Sequence, residues 1–163
     1  MKKKTKFVGI SWKSVNDRIG ENKSIKLSDL KDIFDLPNIT FVNLQYGNVT
    51  DEINSINKVI KNKIIDIKDI DLFNDITKMS ALIQKLDLVV TISNSTAHLS
   101  GALGKDTILM LPKGKGHLWY WTKGDNQKSA WYSSVKIIQQ NKINIWDNVL
   151  IETKDLIESK INN

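Results

Sequence analysis

The chain has 163 residues, 40% hydrophobic and 26% charged, with a net charge of +6 at neutral pH and an isoelectric point near 9.4. It has no cysteine, which excludes disulfides, thiolate catalysis and cysteine-bound metal and fits a reducing compartment. No apolar run approaches the roughly 20 residues that a membrane-spanning helix needs.

The length suits one domain with a sizeable core. The basic opening, Met1 to Lys6, lacks the apolar stretch and small-residue cleavage site of a signal peptide. Lysine carries nearly all the positive charge, and Arg18 is the one arginine. Nucleic-acid surfaces more often interleave arginine with aromatics, so nucleic acid is not an expected partner.

Phe7 to Trp12 reads as a first strand, followed by a polar loop to Ser24. Leu27 to Leu36 predicts a short helix, with Ser28 as N-cap and Leu30, Ile33 and Phe34 on its apolar face. Pro37-Asn38 ends it, and Ile39 to Gln45 is the second strand. Thr50-Asp51-Glu52 opens a helix with Ile53, Ile56 and Ile60 on one side, and Ile64-Ile65-Asp66 is a short third strand. Asp75 to Leu86 predicts a helix carrying Ile76, Met79, Leu82, Ile83 and Leu86 at three- and four-residue spacing.

Leu88 to Pro112 is the most informative stretch. Leu88 to Ile92 is a short, β-branched apolar run, the pattern of a strand buried on both faces. Ser93-Asn94-Ser95-Thr96 is a cluster of capping residues, Ala97 to Leu103 a helix, Gly104 its natural terminator, and Ile108 to Leu111 the next strand. A strand that enters a helix through such residues presents free N–H groups and a helix dipole to an anion. A loop rich in glycine, lysine and tryptophan runs from Lys113 to Ser134, Val135 to Ile138 is the last strand, and Trp146 to Ile161 the last helix.

This alternation predicts an α/β protein: a Rossmann-like, doubly wound parallel sheet with helices on both faces, as a single domain over residues 1–163. Ligands of such sheets lie beyond the carboxyl ends of the strands. Those ends are Ser11-Trp12, Gln45-Tyr46-Gly47, Ser93-Asn94 and Pro112-Lys113. No GxGxxG turn or Walker A motif is present. Asp66, Asp69, Asp71 and Asp75 match no calcium loop and read as loop residues and a helix cap. His117 reads as a solvated loop residue, and two histidines without cysteine give no zinc site. Trp119, Tyr120, Trp121, Trp131 and Tyr132 are either a base-stacking wall or, for Trp131 at least, core; Trp146 reads as core. On the residues alone, His98 is either a polar member of a crowded helix turn or a ligand group.

ISNSTAHLSGALGK, followed by a strand ending Leu-Pro, resembles the nucleotide-sugar half of GT-B glycosyltransferases, nearest to heptosyltransferases and the glycosyltransferase domains attached to tetratricopeptide repeats. Val8-Gly9-Ile10-Ser11-Trp12 with Lys23-Ser24-Ile25, Phe41 to Gly47, Asp75 to Val90, Trp131 to Val135, and Trp146-Asp147 are similar to that family in order and spacing. The resemblance implies the donor-binding half of an inverting glycosyltransferase. It would take a nucleoside diphosphate sugar as substrate, use no cofactor or metal, and act on a cell-envelope glycan or a protein. It implies that Lys23 contacts the diphosphate and stabilises the leaving group, and that Ser95, Thr96 and adjoining N–H groups cradle it. His98 would donate to phosphate or sugar, Gln45 and Tyr46 would line the cleft with Ser11 and Trp12, and Pro112, Lys113 and Trp119 would flank the base. Relatives carry Asp-Thr where this chain has Ser93-Asn94, a pair that keeps hydrogen-bonding capacity without the charge. The resemblance further implies a cytoplasmic location, with peripheral contact to an anionic inner membrane face. The acceptor-binding domain, which supplies the base in inverting members, is outside this chain: the chain is an excised domain, or a partner chain supplies the rest, or it is a non-catalytic nucleotide-sugar-binding or docking module.

Overall fold

The computed structural model describes residues 5–162; the basic run at residues 1–4 lies outside them. Six strands, β1 (Lys6–Ser11), β2 (Ile39–Asn43), β3 (Ile64–Ile65), β4 (Leu88–Ile92), β5 (Thr107–Leu111) and β6 (Val135–Gln139), form one parallel sheet in the order β3-β2-β1-β4-β5-β6. The chain winds outward from β1 to one edge, returns to β4 beside β1, and winds to the other edge. The fold is a Rossmann-like α/β fold. The direction of winding reverses between β1 and β4, and ligands of such folds bind in the crevice beyond that point.

Successive strand residues face opposite sides of the sheet, and each side has its own core. Val8 and Ile10 of β1, Val90 and Ile92 of β4 and Met110 of β5 pack with Phe34, Ile53, Val149 and Ile157, which belong to three helices: α2 (Lys31–Phe34), α3 (Thr50–Ile56) and α6 (Asp147–Asn162). On the other face Val42, Leu44 and Val89 meet Met79 and Ile83 of α4 (Ile76–Lys85). Leu109, Leu111 and Ile137 meet Ala97 of α5 (Ser95–Ala102) and the indole of Trp121. With both faces covered, the central strands are largely apolar, and β4 and β5 are buried at every residue.

Several details differ from the sequence expectations. The polar loop before Ser24 contains a short helix, α1 (Gly20–Lys23), preceded by a turn in which Asn16 Oδ1 accepts from Arg18 and Ile19 N–H. The helix expected over Leu27 to Leu36 is a 3-10 turn, Leu27–Leu30, running into α2. Ser28 lies inside that turn and donates to the Asp29 carboxylate, so it is not an N-cap. Ile76 has the spacing of the buried face of α4 yet, as the first residue of that helix, borders an open groove and is 66% exposed. Trp131, expected in the core, is 65% exposed, whereas Trp146 packs against the core.

Phe34 is fully buried and meets Phe41 edge to face, with ring centroids 4.9 Å apart. Phe34→Ala is expected to cost about 3–5 kcal/mol, and Ile76→Ala to stay within about 0.5 kcal/mol of wild type. Urea denaturation midpoints check both.

Candidate functional site

At the carboxyl edge of the sheet the strands end in amides and hydroxyls, and these join into one chain of hydrogen bonds. Thr91 Oγ1 donates to Asn94 Oδ1, 3.1 Å, and Asn94 Nδ2 donates to Ser11 Oγ, 2.7 Å. Ser11 Oγ donates to Gln45 Oε1, 3.0 Å, which also accepts from the backbone N–H groups of Trp12 and Lys13 at 3.0 and 2.9 Å. Asn43 Oδ1 accepts from Gln45 N–H at 2.8 Å, and Asn43 Nδ2 donates to Asp66 Oδ1 at 2.9 Å. The chain thus crosses the ends of β4, β1, β2 and β3. Ser11, Gln45 and Asn94 are buried in it. Trp12 is fully buried too, its indole N–H donating to Glu52 of α3 at 2.9 Å. These four side chains form the floor of the site rather than its open surface.

Above the floor stands the N-terminus of α5. Asn94 caps it: Oδ1 accepts from Ala97 N–H at 3.3 Å. The first N–H groups of the helix, at Ser95 and Thr96, have no partner within the helix. Ser95 is exposed, while Thr96 is fully buried and its hydroxyl has no hydrogen-bond partner.

Lys23 comes to the same place from α1. It is 5% exposed, and among the described residues its ammonium makes no ion pair. Burial holds its pKa below the ordinary lysine value. Its charge reaches His98, in the first turn of α5, whose pKa is lowered by burial first and by Lys23 second. The site therefore gathers a cation, a neutral imidazole and a helix N-terminus with no anion among them. The loop after β5 holds α1 in place: Gly116, at φ +95°, approaches so closely that a Cβ there would sit 3.2 Å from Asn22 Cβ.

That loop also builds an aromatic wall. Trp121 is buried, stacks on His98 (centroids 4.5 Å apart, planes at 22°) and donates its indole N–H to Ser93 Oγ at 2.8 Å. Tyr120 and Tyr132 flank the imidazole with centroids at 5.1 and 6.0 Å. Burial raises the Tyr120 pKa, offset in part by its hydrogen bond with Ser93. The other loop residues singled out in the sequence are less central. Trp119 is 78% exposed and reaches only Tyr120. Pro112 is buried, and Lys113 turns to the neighbouring strand end, where its ammonium donates to the Asn141 carbonyl at 2.8 Å. His117 is exposed, with Nε2 3.3 Å from the Trp121 carbonyl.

Two concave spaces adjoin this centre. A cleft of about 530 Å3 lies over the ends of β2 and β3, lined by Asn43, Gln45, Tyr46, Thr50, Asp66 and Phe73 among others. An apolar groove of about 470 Å3 runs between α4 and α5, from Ser95 and His98 past Leu99 and Tyr132 to Ile76 and Met79. Phe73 and Leu72 line both. Phe73 is 67% exposed, meets Tyr46 with centroids 5.7 Å apart, and is presented by a turn in which Asp71 Oδ1 accepts from Phe73 and Asn74 N–H. Sequence reasoning passed over Asn43 and Phe73 and read Asp66 as a plain loop residue. The Asp-Leu-Phe-Asn turn was the available signal for Phe73.

No protein-family model matches the chain. Protein FlbA of Caulobacter vibrioides is 30% identical over 143 residues, which cover 86% of this chain and 23% of that protein, so the chain spans less than a quarter of the relative's length. Among solved structures, the E. coli heptosyltransferase WaaC with ADP superposes with a TM-score of 0.64 at 10% identity, covering 98% of this chain and 46% of that one. The likeness is one of fold, to half the length of a glycosyltransferase.

Gln45→Ala removes the shared acceptor of the floor and leaves the buried Trp12 N–H unpaired. It is expected to cost about 1–3 kcal/mol, read by urea denaturation.

Proposed function

We propose that this chain is the donor-binding half of a GT-B glycosyltransferase, taking a nucleoside diphosphate sugar at the N-terminus of α5. The observation that supports this reading best is Lys23: a lysine 5% exposed, with no carboxylate partner among the described residues, whose charge acts on His98 in the first turn of α5. A buried charge is costly unless something compensates it, and a diphosphate supplies the missing anion.

In this reading the diphosphate lies against the N–H groups of Ser95 and Thr96, with Lys23 on one side and His98 on the other. The base reaches the cleft over β2 and β3, against Tyr46 and Phe73. From β4 to β2 is two strand steps, about 10 Å, a span that a nucleoside diphosphate bridges. Charge builds on the leaving phosphate as the glycosidic bond breaks. Lys23 and the N–H groups, already oriented and partly shielded from water, stabilise that charge more than they stabilise the ground state. The acceptor and the base that deprotonates it belong to a second domain or chain, in keeping with this chain matching 46% of the heptosyltransferase structure.

One observation favours a second reading, a nucleotide-sugar-binding module without transferase activity. The Ser93 hydroxyl is engaged by Trp121, and Ser93 brings no charge at a position where many members of the family it resembles carry an acid.

Calorimetry against UDP-, ADP-, GDP- and CMP-linked sugars and the free diphosphates tests the site. Wild type is expected to bind one nucleotide class, and Lys23→Met to abolish binding. The same substitution is expected to raise the melting temperature, because it removes an uncompensated buried charge; a structural lysine would do the reverse. Affinity is expected to fall with rising pH before an ordinary lysine would titrate, since Lys23 loses its proton below the ordinary value. Absence of binding by wild type at millimolar ligand overturns the proposal.

A further inference from the structure

His98 is held from three sides. Its ring lies nearly parallel to buried Trp121, with centroids 4.5 Å apart. Tyr120 meets it at 5.1 Å, and Tyr132 places its hydroxyl 3.3 Å from Nδ1. Tyr132 reaches that position because residue 101, one turn along α5 from His98, is glycine. A Cβ on Gly101 would lie 2.6 Å from the Tyr132 ring, so a larger residue would push the phenol off the helix. The notch and the hydrogen bond are separate observations, and both locate the same hydroxyl.

The groups facing the imidazole leave few alternatives. Lys23, from α1, is the charged one, and an ammonium only donates. The indole N–H of Trp121 is spent on Ser93. Tyr120 and Tyr132, from the loop after β5, are the other titratable groups, and Tyr132 is the one hydrogen-bonded to the ring. A phenol donates more strongly than it accepts, and a neutral imidazole nitrogen without hydrogen is a good acceptor.

We infer that Tyr132 donates its hydroxyl proton to Nδ1 and so fixes His98 as the neutral Nε2–H tautomer. Tyr132 is a positioning residue: with Nδ1 taken by the phenol, Nε2 is left as a hydrogen-bond donor rather than an acceptor. The opposite tautomer would offer an anionic oxygen a lone pair and repel it. Lys23, whose charge reaches His98, is a second donor beside it. That the anion is a diphosphate rests on the function proposed above; the tautomer does not.

The chain has two histidines, so a two-dimensional nitrogen–proton correlation of the imidazole rings resolves them, and His117→Gln assigns the pair. In the ligand-free protein His98 is expected to carry its proton on Nε2. Tyr132→Phe keeps the ring seated on Gly101 and removes the hydrogen bond that separates the two neutral tautomers. It is therefore expected to let the Nδ1–H tautomer rise to a visible share of the neutral population, read from the shifts of the two ring nitrogens at a pH where the imidazole is uncharged. Gly101→Ala, which displaces the whole ring, is expected to move the balance the same way. If Tyr132 instead accepted a proton from Nδ1, wild type would show the Nδ1–H tautomer; a purely packing role would leave the balance unchanged by Tyr132→Phe. Either result overturns the inference. The measurement needs no ligand. Failure of the nucleotide experiment with the expected tautomer shift would refute the diphosphate reading and leave the role of Tyr132 standing.

Discussion

The arrangement rests on the acceptor shared at Gln45 Oε1. Two backbone N–H groups and one hydroxyl converge on this single oxygen, which lies buried where β1 ends. A parallel sheet leaves a row of polar backbone groups at its carboxyl edge, and water cannot reach the inner ones to satisfy them. Gln45 answers that need beyond β1 and Asn43 beyond β2, while Asn94 caps α5 and accepts from the Thr91 hydroxyl of β4. Because each of these amides also binds its neighbour, the strand ends are cross-linked into one rigid rim. The chain leaving β1 toward α1 starts from that rim, so the placement of Lys23 depends on it.

What stands on the rim is electrostatically incomplete. Folded proteins compensate nearly all buried charge internally, yet here a lysine, a helix N-terminus and an imidazole come together without an ion-paired carboxylate among the described residues. The close approach of Gly116 to Asn22 packs α1 against the loop after β5. The chain gives up stability at this spot, the usual situation where a surface is shaped for something the protein does not itself contain.

Much of the scaffold was legible because its signals are local and periodic. β4 and β5 are apolar at all but one position each, the pattern that burial on both faces produces. Asn94 and Gly104 mark the ends of α5 by capping chemistry alone. What escaped reading depended on the third dimension. Ile76 carries the right spacing but sits at the first residue of α4, where no neighbouring element covers it. Ser28 has the chemistry of a cap and the wrong place in the turn. Trp131 is as apolar as Trp121, and only the path of a long loop decides which of them is buried. The conversion of Ser11, Gln45 and Asn94 from strand-end residues into one hydrogen-bonded floor required knowing that β1 lies between β2 and β4, which spacing along a chain does not encode. His98 was legible as a residue of interest, but its partners were not: Tyr132 is 34 residues away, and the glycine that admits it looks like an ordinary helix interruption.

The stacking of His98 on Trp121 has an optical consequence. An imidazolium in contact with an indole quenches its emission, whereas a neutral imidazole does so weakly. Of the five tryptophans, Trp121 is the one stacked on a histidine. The chain therefore carries a native fluorophore at the centre of its site, whose brightness reports the protonation of the residue beside it.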